Sequence, residues 1–126
     1  KETTALKAPM LIATIASGNT SLDLITNSGF SVTSGETYVF SEENIEVDGA
    51  APADIIFTVE QIPHNGWLVR GATILKVGDR LTQLDINSKN LVYISNGSGT
   101  EDSLTLSARD RAGASLDPFN IAISIL

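Results

Sequence analysis

The chain has 126 residues and no cysteine, which suits one domain whose core forms without disulfides. Its net charge is -7, from 15 acidic and 8 basic residues, so we expect no nucleic-acid partner, because affinity for phosphates rests on Lys and Arg. No apolar run is long enough to span a bilayer, so we expect no direct membrane insertion. The N-terminus lacks a basic and apolar signal pattern, which predicts a cytoplasmic protein or a piece of a longer exported chain.

Short apolar or alternating segments, separated by turn residues, run through the whole chain. The composition is rich in Thr, Ser, Ile, Val and Asn, which favour strands and turns over helices. In the clearest segment, Leu104, Leu106 and Ala108 alternate with polar residues, and the last strand repeats this pattern up to Ile125. The pattern predicts an all-β sandwich with strands at residues 9–16, 22–26, 30–33, 37–40, 54–62, 67–69, 72–77, 90–95, 103–110 and 119–125.

The segment of residues 54–68 is predicted to be a β-hairpin at the centre of the domain. Its first strand would place one set of alternate side chains on a single face: Ile55, Phe57 and Val59. Pro63 would end that strand, and Gly66 would supply a positive φ in the tight turn. Trp67 would begin the return strand and bury most of its area in the core.

Three polar motifs predict local caps and turns. Thr82 and Asp85 have the spacing of a capping box, which predicts a helical turn at residues 84–86. Residues 41–45 could form a single helical turn. Asp102, at the start of a predicted strand, is interpreted as a turn cap.

A faint internal repeat links the two ends of the chain. When Pro9 is aligned with Pro118, the segments LKAPMLIA and LDPFNIA show the same apolar spacing. The echo predicts that residues 8–16 are the last strand of a preceding repeat and that residues 17–27 are a linker.

A longer series of motifs resembles a known family. The series is Gly29-Phe-Ser-Val, Pro63-His-x-Gly-x-Leu, Leu81-Thr-Gln-x-Asp-Ile, Val92-Tyr and Asp102-Ser-Leu-x-Leu. It is similar to the repeat of chondroitin sulfate proteoglycans, a cadherin-like domain family, over residues 29–126. The family's usual Phe is Leu81 here, and Asn65 lengthens the usual turn by one residue. The resemblance implies a cadherin- or immunoglobulin-like sandwich with Greek-key-type connections, preceded by residues 1–28 as a linker or the end of another repeat.

The resemblance also implies a function. It suggests a non-catalytic structural or adhesion module, one repeat of a tandem array in a large extracellular or cell-surface protein. Its partners would be neighbouring repeats and another protein or a glycan. The alternative is a carbohydrate- or ligand-binding sandwich, in which Trp67 would stack on a sugar. The single histidine, His64, has no nucleophile or carboxylate partner at a catalytic spacing, so we expect no enzyme.

Calcium is the one cofactor that the resemblance suggests, because cadherin-like domains often bind it between modules. The resemblance points to Asp48 and Asp110 as metal ligands. Calcium requires about 6–8 oxygen ligands, and the usual acidic partner two residues after Asp48 is Ala50 here. The alternative is that both carboxylates cap turns at a solvated end of the domain.

Overall fold

The structure is a computed structural model that describes residues 21–126. Within them, the chain forms eleven strands, one short α-helix, α1 (Gln83–Asn87), and one 3-10 helix (Pro52–Asp54). The strands are β1 (Asp23–Asn27), β2 (Phe30–Val32), β3 (Thr37–Val39), β4 (Ile45–Asp48), β5 (Ile56–Gln61), β6 (Gly66–Arg70), β7 (Thr73–Ile74), β8 (Arg80–Thr82), β9 (Leu91–Ser95), β10 (Glu101–Arg109) and β11 (Ser115–Ile125). The strand predicted at residues 9–16, and with it the internal repeat, lies outside the described residues.

Two sheets face each other across one apolar core. One sheet has five strands in the order β2-β11-β10-β5-β8, and the other has four in the order β3-β9-β6-β7. The pair β1-β4 forms a separate two-stranded ladder. The pairing is antiparallel except between β2 and β11, which run parallel. The prediction of an all-β sandwich is confirmed. Within the described residues, no helix is long and apolar enough to cross a membrane.

The two-residue alternation correctly predicts the inward faces of the long strands. In β10 Leu104 and Leu106 are fully buried, whereas the alternate residues Ser103, Thr105 and Ser107 are partly exposed. In β11 Ile121, Ile123 and Ile125 are buried in the same way. The predicted capping box also forms: the Thr82 Oγ1 accepts from the Asp85 N–H, and the Asp85 carboxylate accepts from the Thr82 N–H.

The predicted central hairpin is wrong, because β5 and β6 belong to different sheets. β5 lies between β10 and β8 and therefore has no free edge, whereas β6 pairs with β9 and β7. The chain crosses from one sheet to the other through the buried Pro63. Gly66 is also required for a different reason than predicted. Its φ is not positive, but a Cβ there would overlap the Ile94 carbonyl oxygen and the Tyr93 ring.

Trp67 is not a core residue. Its side chain is 46% exposed, whereas the next residue, Leu68, is 1% exposed. Because consecutive strand residues point to opposite faces, the inward place of Leu68 turns Trp67 outward. The prediction that Trp67 packs in the core is therefore wrong, whereas the burial of Phe57 is confirmed at 0% exposure.

The two ends of the described chain lie at opposite poles of the sandwich. Asp23 pairs with Asp48, the last residue of β4, and the loop that follows leads into β5. The start of β5 lies opposite the end of β10. This end, which also holds the β10–β11 turn, is the N-terminal pole. Ile125 donates its N–H to the carbonyl of Thr100, which precedes β10, so β11 ends at the other pole, the C-terminal pole.

One buried polar side chain fixes the helix to β4. Gln83 is 1% exposed, and its Oε1 accepts from the Val47 N–H at 2.9 Å. Its Nε2 donates to the Ile45 carbonyl at 3.0 Å and to the Asn87 Oδ1 at 2.9 Å. A buried amide whose oxygen and nitrogen are both bonded carries little desolvation penalty.

Candidate functional site

The C-terminal pole is organised around the carboxylate of Asp102. The Asp102 Oδ1 accepts from the backbone N–H of His64 at 2.8 Å and of Ser103 at 2.9 Å. Its Oδ2 accepts from the backbone N–H of Asn65 and from the Tyr93 hydroxyl, both at 2.8 Å. One side chain therefore ties the crossover between the sheets to β9 and to the start of β10. This is more than the local turn cap predicted from the sequence.

The charge states of this pair follow from burial and hydrogen bonding. Burial raises the pKa of the Asp102 carboxyl, but the four donated hydrogen bonds outweigh it and hold that pKa below its usual value. The pKa of Tyr93 is raised strongly by burial, then by its hydrogen bond to Asp102 and by the negative charge there. At neutral pH the pair is a neutral phenol that donates to a carboxylate. Both groups are engaged in hydrogen bonds that stabilise the crossover.

Asn65 makes several further hydrogen bonds in this crossover. Besides its bond to Asp102, its Nδ2 donates to the Glu101 carbonyl at 3.0 Å, and its own carbonyl accepts from the Asn96 N–H at 2.9 Å. His64 contributes its backbone N–H, and its side chain is exposed. The place of His64 in this geometry is structural.

An open polar cleft of about 720 Å³ lies beside this crossover. A smaller cleft of about 350 Å³ adjoins it through Glu101, Asp102 and Asn120. Amide and hydroxyl groups dominate the lining, but the Asp102 carboxylate and the Asn120 carbonyl already accept hydrogen bonds from the protein. The clefts offer a hydrated surface rather than a preorganised ligand site.

At the N-terminal pole, the two predicted calcium ligands have different environments. Asp110 is 5% exposed, and its Oδ1 accepts from the backbone N–H groups of Ala112 and Ala114, both at 2.9 Å. Asp48 is exposed and stands directly opposite Asp23 in the β1-β4 ladder. Asp110 is thus a cap of the β10–β11 turn, as the alternative interpretation had it.

The described residues do not by themselves fit a calcium ion. Calcium takes about 6–8 oxygen ligands. Within residues 21–126, no group of three or more acidic, histidine or cysteine side chains is placed to hold a metal. One Asp110 oxygen is already engaged by the turn. Calcium binding through Asp48 and Asp110 stays a prediction.

The two outer faces of the sandwich differ sharply in polarity. On the five-stranded sheet, Thr105 is hydrogen-bonded to Gln61 and Asn120, and Ser107 to Glu60. On the four-stranded sheet, the outward side chains are apolar apart from Thr37. We call this surface the apolar face, and its residues are Val39, Trp67, Val69, Ile74, Val92 and Ile94. This face was not predicted from the sequence. It could have been predicted from Leu68, because an inward Leu68 places the residues on either side of it on the outer face.

Comparison with known proteins agrees with this architecture. Residues 23–123 match the family model described as cadherin-like. The chain belongs to the cadherin-like family. The chain is also 36% identical to human chondroitin sulfate proteoglycan 4 over 77 residues, which is 61% of this chain. The rat protein of the same name is 30% identical over 77 residues. The resemblance to proteoglycan repeats is confirmed.

The cadherin-like domain is a small part of the relatives that it matches. The aligned segment covers 61% of this chain but 3% of the length of the human and rat proteins. The family match begins at Asp23 and so includes β1, which precedes residue 29 and is paired with β4. The boundary predicted between residues 28 and 29 stays a prediction.

Proposed function

We propose that this cadherin-like domain is a non-catalytic extracellular spacer, one link in a tandem array within a large surface or matrix protein. The observation that carries the proposal is the placement of Asp23 and Ile125 at opposite poles. Modules joined at such ends form an extended chain. Proteoglycan relatives that are far longer than the matched segment support the same conclusion.

The strand pairing at the two ends suits a spacer that carries tension. β2 and β11 run parallel, with Phe30 beside Ile123 and Val32 beside Ile125. Pulling the chain ends apart draws these two strands in opposite directions along their length, so their hydrogen bonds resist together. The Leu126 N–H donates to the Val32 carbonyl at 2.9 Å and extends this contact by one residue.

The proposal is tested by pulling the whole 126-residue chain from its two ends in a single-molecule force experiment. We expect one abrupt unfolding event, because the β2–β11 bonds are loaded in parallel. Leu126→Pro removes one donor of this contact and should lower the unfolding force. Leu126→Ala keeps the donor and is the matched control, since the Leu126 side chain is 75% exposed. Equal forces for the two variants, or gradual unfolding at low force, would contradict a load-bearing role.

The exposure of Trp67 favours one second candidate, a glycan-binding module. A sugar site needs polar groups that fix the hydroxyls beside the stacking ring. The strand neighbours of Trp67 on the apolar face, Ile94 and Val69, provide none. We therefore expect neutral and sulfated oligosaccharides to leave the Trp67 fluorescence unchanged, and a saturable change would support this candidate instead.

A further inference from the structure

We propose that Asn96 is a site of spontaneous covalent modification in the folded domain, where the side-chain amide is lost and aspartate or isoaspartate remains. The co-reactant is water, and the site is independent of the spacer role proposed above. The chain has two Asn-Gly pairs, Asn65-Gly66 and Asn96-Gly97. In such a pair the backbone nitrogen after the asparagine is open to the side chain, because glycine has no Cβ. The fold favours the reaction at one pair and opposes it at the other.

The reaction is a ring closure followed by a hydrolysis. The Gly97 backbone nitrogen attacks the Asn96 Cγ and forms a new N–C bond, while the bond from Cγ to Nδ2 breaks. Nδ2 leaves as ammonia with the proton that the Gly97 nitrogen gives up. Water then opens the cyclic succinimide at one of its two carbonyl carbons, which yields aspartate or isoaspartate. No electrons are transferred, so the step needs neither an oxidant nor a reductant.

The Asn96 side chain is folded back over its own backbone. Its Oδ1 accepts from the Ser98 backbone N–H at 3.0 Å and from the Ser98 hydroxyl at 2.6 Å. The ring that the first of these bonds closes contains both reacting atoms, the Asn96 Cγ and the Gly97 nitrogen. Gly97 has a φ of 90°, which glycine adopts without strain. The turn therefore keeps the two reacting atoms near each other, as ring closure requires.

The two Ser98 donors also stabilise the ring-closing step. Negative charge develops on the Asn96 Oδ1 as the nitrogen attacks Cγ, and donors already aimed at that oxygen favour this charge. The leaving group is unhindered, since Asn96 is exposed and within residues 21–126 its Nδ2 donates to no protein acceptor. One bond opposes the attack, because the Gly97 N–H donates to the Ser95 Oγ. At 3.2 Å this bond is at the long end of the usual range.

Asn65 is held away from the same reaction. Its Nδ2, which would have to leave, donates to the Glu101 carbonyl at 3.0 Å, 36 residues along the chain. Its backbone N–H donates to the Asp102 carboxylate at 2.8 Å. Gly66 begins β6, and its backbone lies so close to the Ile94 carbonyl that a Cβ there would overlap it. Ring closure at Asn65 would have to break bonds that hold the crossover, so we expect the fold to protect this pair.

The modification would change the C-terminal pole. The loop between β9 and β10 lies there, because the Thr100 carbonyl accepts from the Ile125 N–H. Either product adds one acidic group to the chain's 15, so the net charge becomes more negative than -7. Isoaspartate also inserts one carbon into the main chain directly after the Asn96 N–H, which donates to the Asn65 carbonyl. Aged chains would therefore carry an altered loop beside the crossover.

The test incubates the whole 126-residue chain at neutral pH and follows both Asn-Gly pairs by peptide mapping with mass spectrometry. Asn65 is the internal control within the same molecule. A parallel incubation in urea unfolds the chain and removes the influence of the fold. Ser98→Ala removes the hydroxyl donor, and Ser115→Ala, at an exposed position of β11, is the matched control. Melting temperatures of both variants confirm that each remains folded.

In the folded chain, we expect Asn96 to lose its amide about tenfold or more faster than Asn65, which must first break its bond to Glu101. In urea the two rates should become similar. Ser98→Ala should slow the reaction at Asn96 about two- to tenfold, the factor that one hydrogen bond supplies, whereas Ser115→Ala should leave the rate unchanged.

Three results would count against the inference. Equal rates at Asn96 and Asn65 in the folded chain would mean that the fold does not select between them. An Asn96 that stays intact in the folded chain but reacts in urea would mean that the turn protects it. Either result would overturn the inference. An unchanged rate in Ser98→Ala would overturn the role assigned to the hydroxyl.

Discussion

Removal of the Asp102 carboxylate should destabilise the domain more than removal of any other acidic side chain at the C-terminal pole. In Asp102→Ala, the backbone N–H groups of His64, Asn65 and Ser103 and the hydroxyl of Tyr93 lose their acceptor. These donors belong to the crossover, to β9 and to the start of β10. The substitution therefore releases the link between the two sheets.

The size of this loss in stability depends on which of the four donors can hydrogen-bond to water instead. Tyr93 is 0% exposed, so its hydroxyl stays buried without an acceptor at a cost of about 1–3 kcal/mol. His64 is exposed and Asn65 is partly so, and their N–H groups can turn to solvent at a cost of about 0.5–1.5 kcal/mol each. The sum for these three donors is a loss of about 2–6 kcal/mol, a large part of the stability of a domain of this size.

Urea unfolding followed by circular dichroism measures this loss. Glu101→Ala is the matched control, because it removes the same charge from the adjacent exposed residue. A double-mutant cycle with Tyr93→Phe isolates the bond between the hydroxyl and the carboxylate, for which we expect a coupling of about 1.5–3 kcal/mol. If Asp102→Ala costs no more than Glu101→Ala, or if the Asp102 and Tyr93 changes are additive, the carboxylate does not hold the crossover.

Further predictions follow from the burial and charge of single residues. Phe57→Ala should lower the free energy of unfolding by about 3–5 kcal/mol, whereas Trp67→Ala should cost less than about 1 kcal/mol in dilute solution; similar losses in urea unfolding would contradict their opposite orientations. The raised pKa of Tyr93 means that its stabilising effect is complete below pH ~10, the pKa in the unfolded chain, and is lost as the pH rises further. Tyr93→Phe should flatten this alkaline part of the stability profile. The lowered pKa of Asp102 has the opposite sign, so its contribution is present above pH ~4 and is lost as the pH falls through the folded-state pKa. Calcium at about 1 mM should leave the melting temperature where chelator leaves it, and a rise of several degrees that Asp110→Asn abolishes would establish a calcium site.

The sequence predicts the features of this fold that depend on neighbouring residues. Alternation fixes the inward set of β10 because Leu104, Leu106 and Ala108 follow one another at a period of two. The capping box is equally local, since Thr82 and Asp85 lie three residues apart. Both were confirmed because every interaction that decides them lies within a few residues.

The features that the sequence does not predict depend on distant partners. Pro63 correctly marks the end of a strand, but the sheet that the next strand joins is decided by whether β5 already has two neighbours. The role of Asp102 rests on donors at His64 and Asn65, 38 and 37 residues away. The position of Trp67 was mispredicted for another reason. Its large apolar area suggests burial, but it adjoins the buried Leu68 in a strand, and consecutive strand residues face opposite sides.

The side chain of Gln83 also has a consequence for how this domain behaves among its own copies. Its amide oxygen and nitrogen meet the Val47 N–H and the Ile45 carbonyl as the backbone of an adjacent strand would. With β1 on the other side, β4 offers no open row of donors and acceptors to an incoming strand. Strand exchange at this position would have to expel a buried glutamine, so we expect β4 to be a poor acceptor for a strand of another copy.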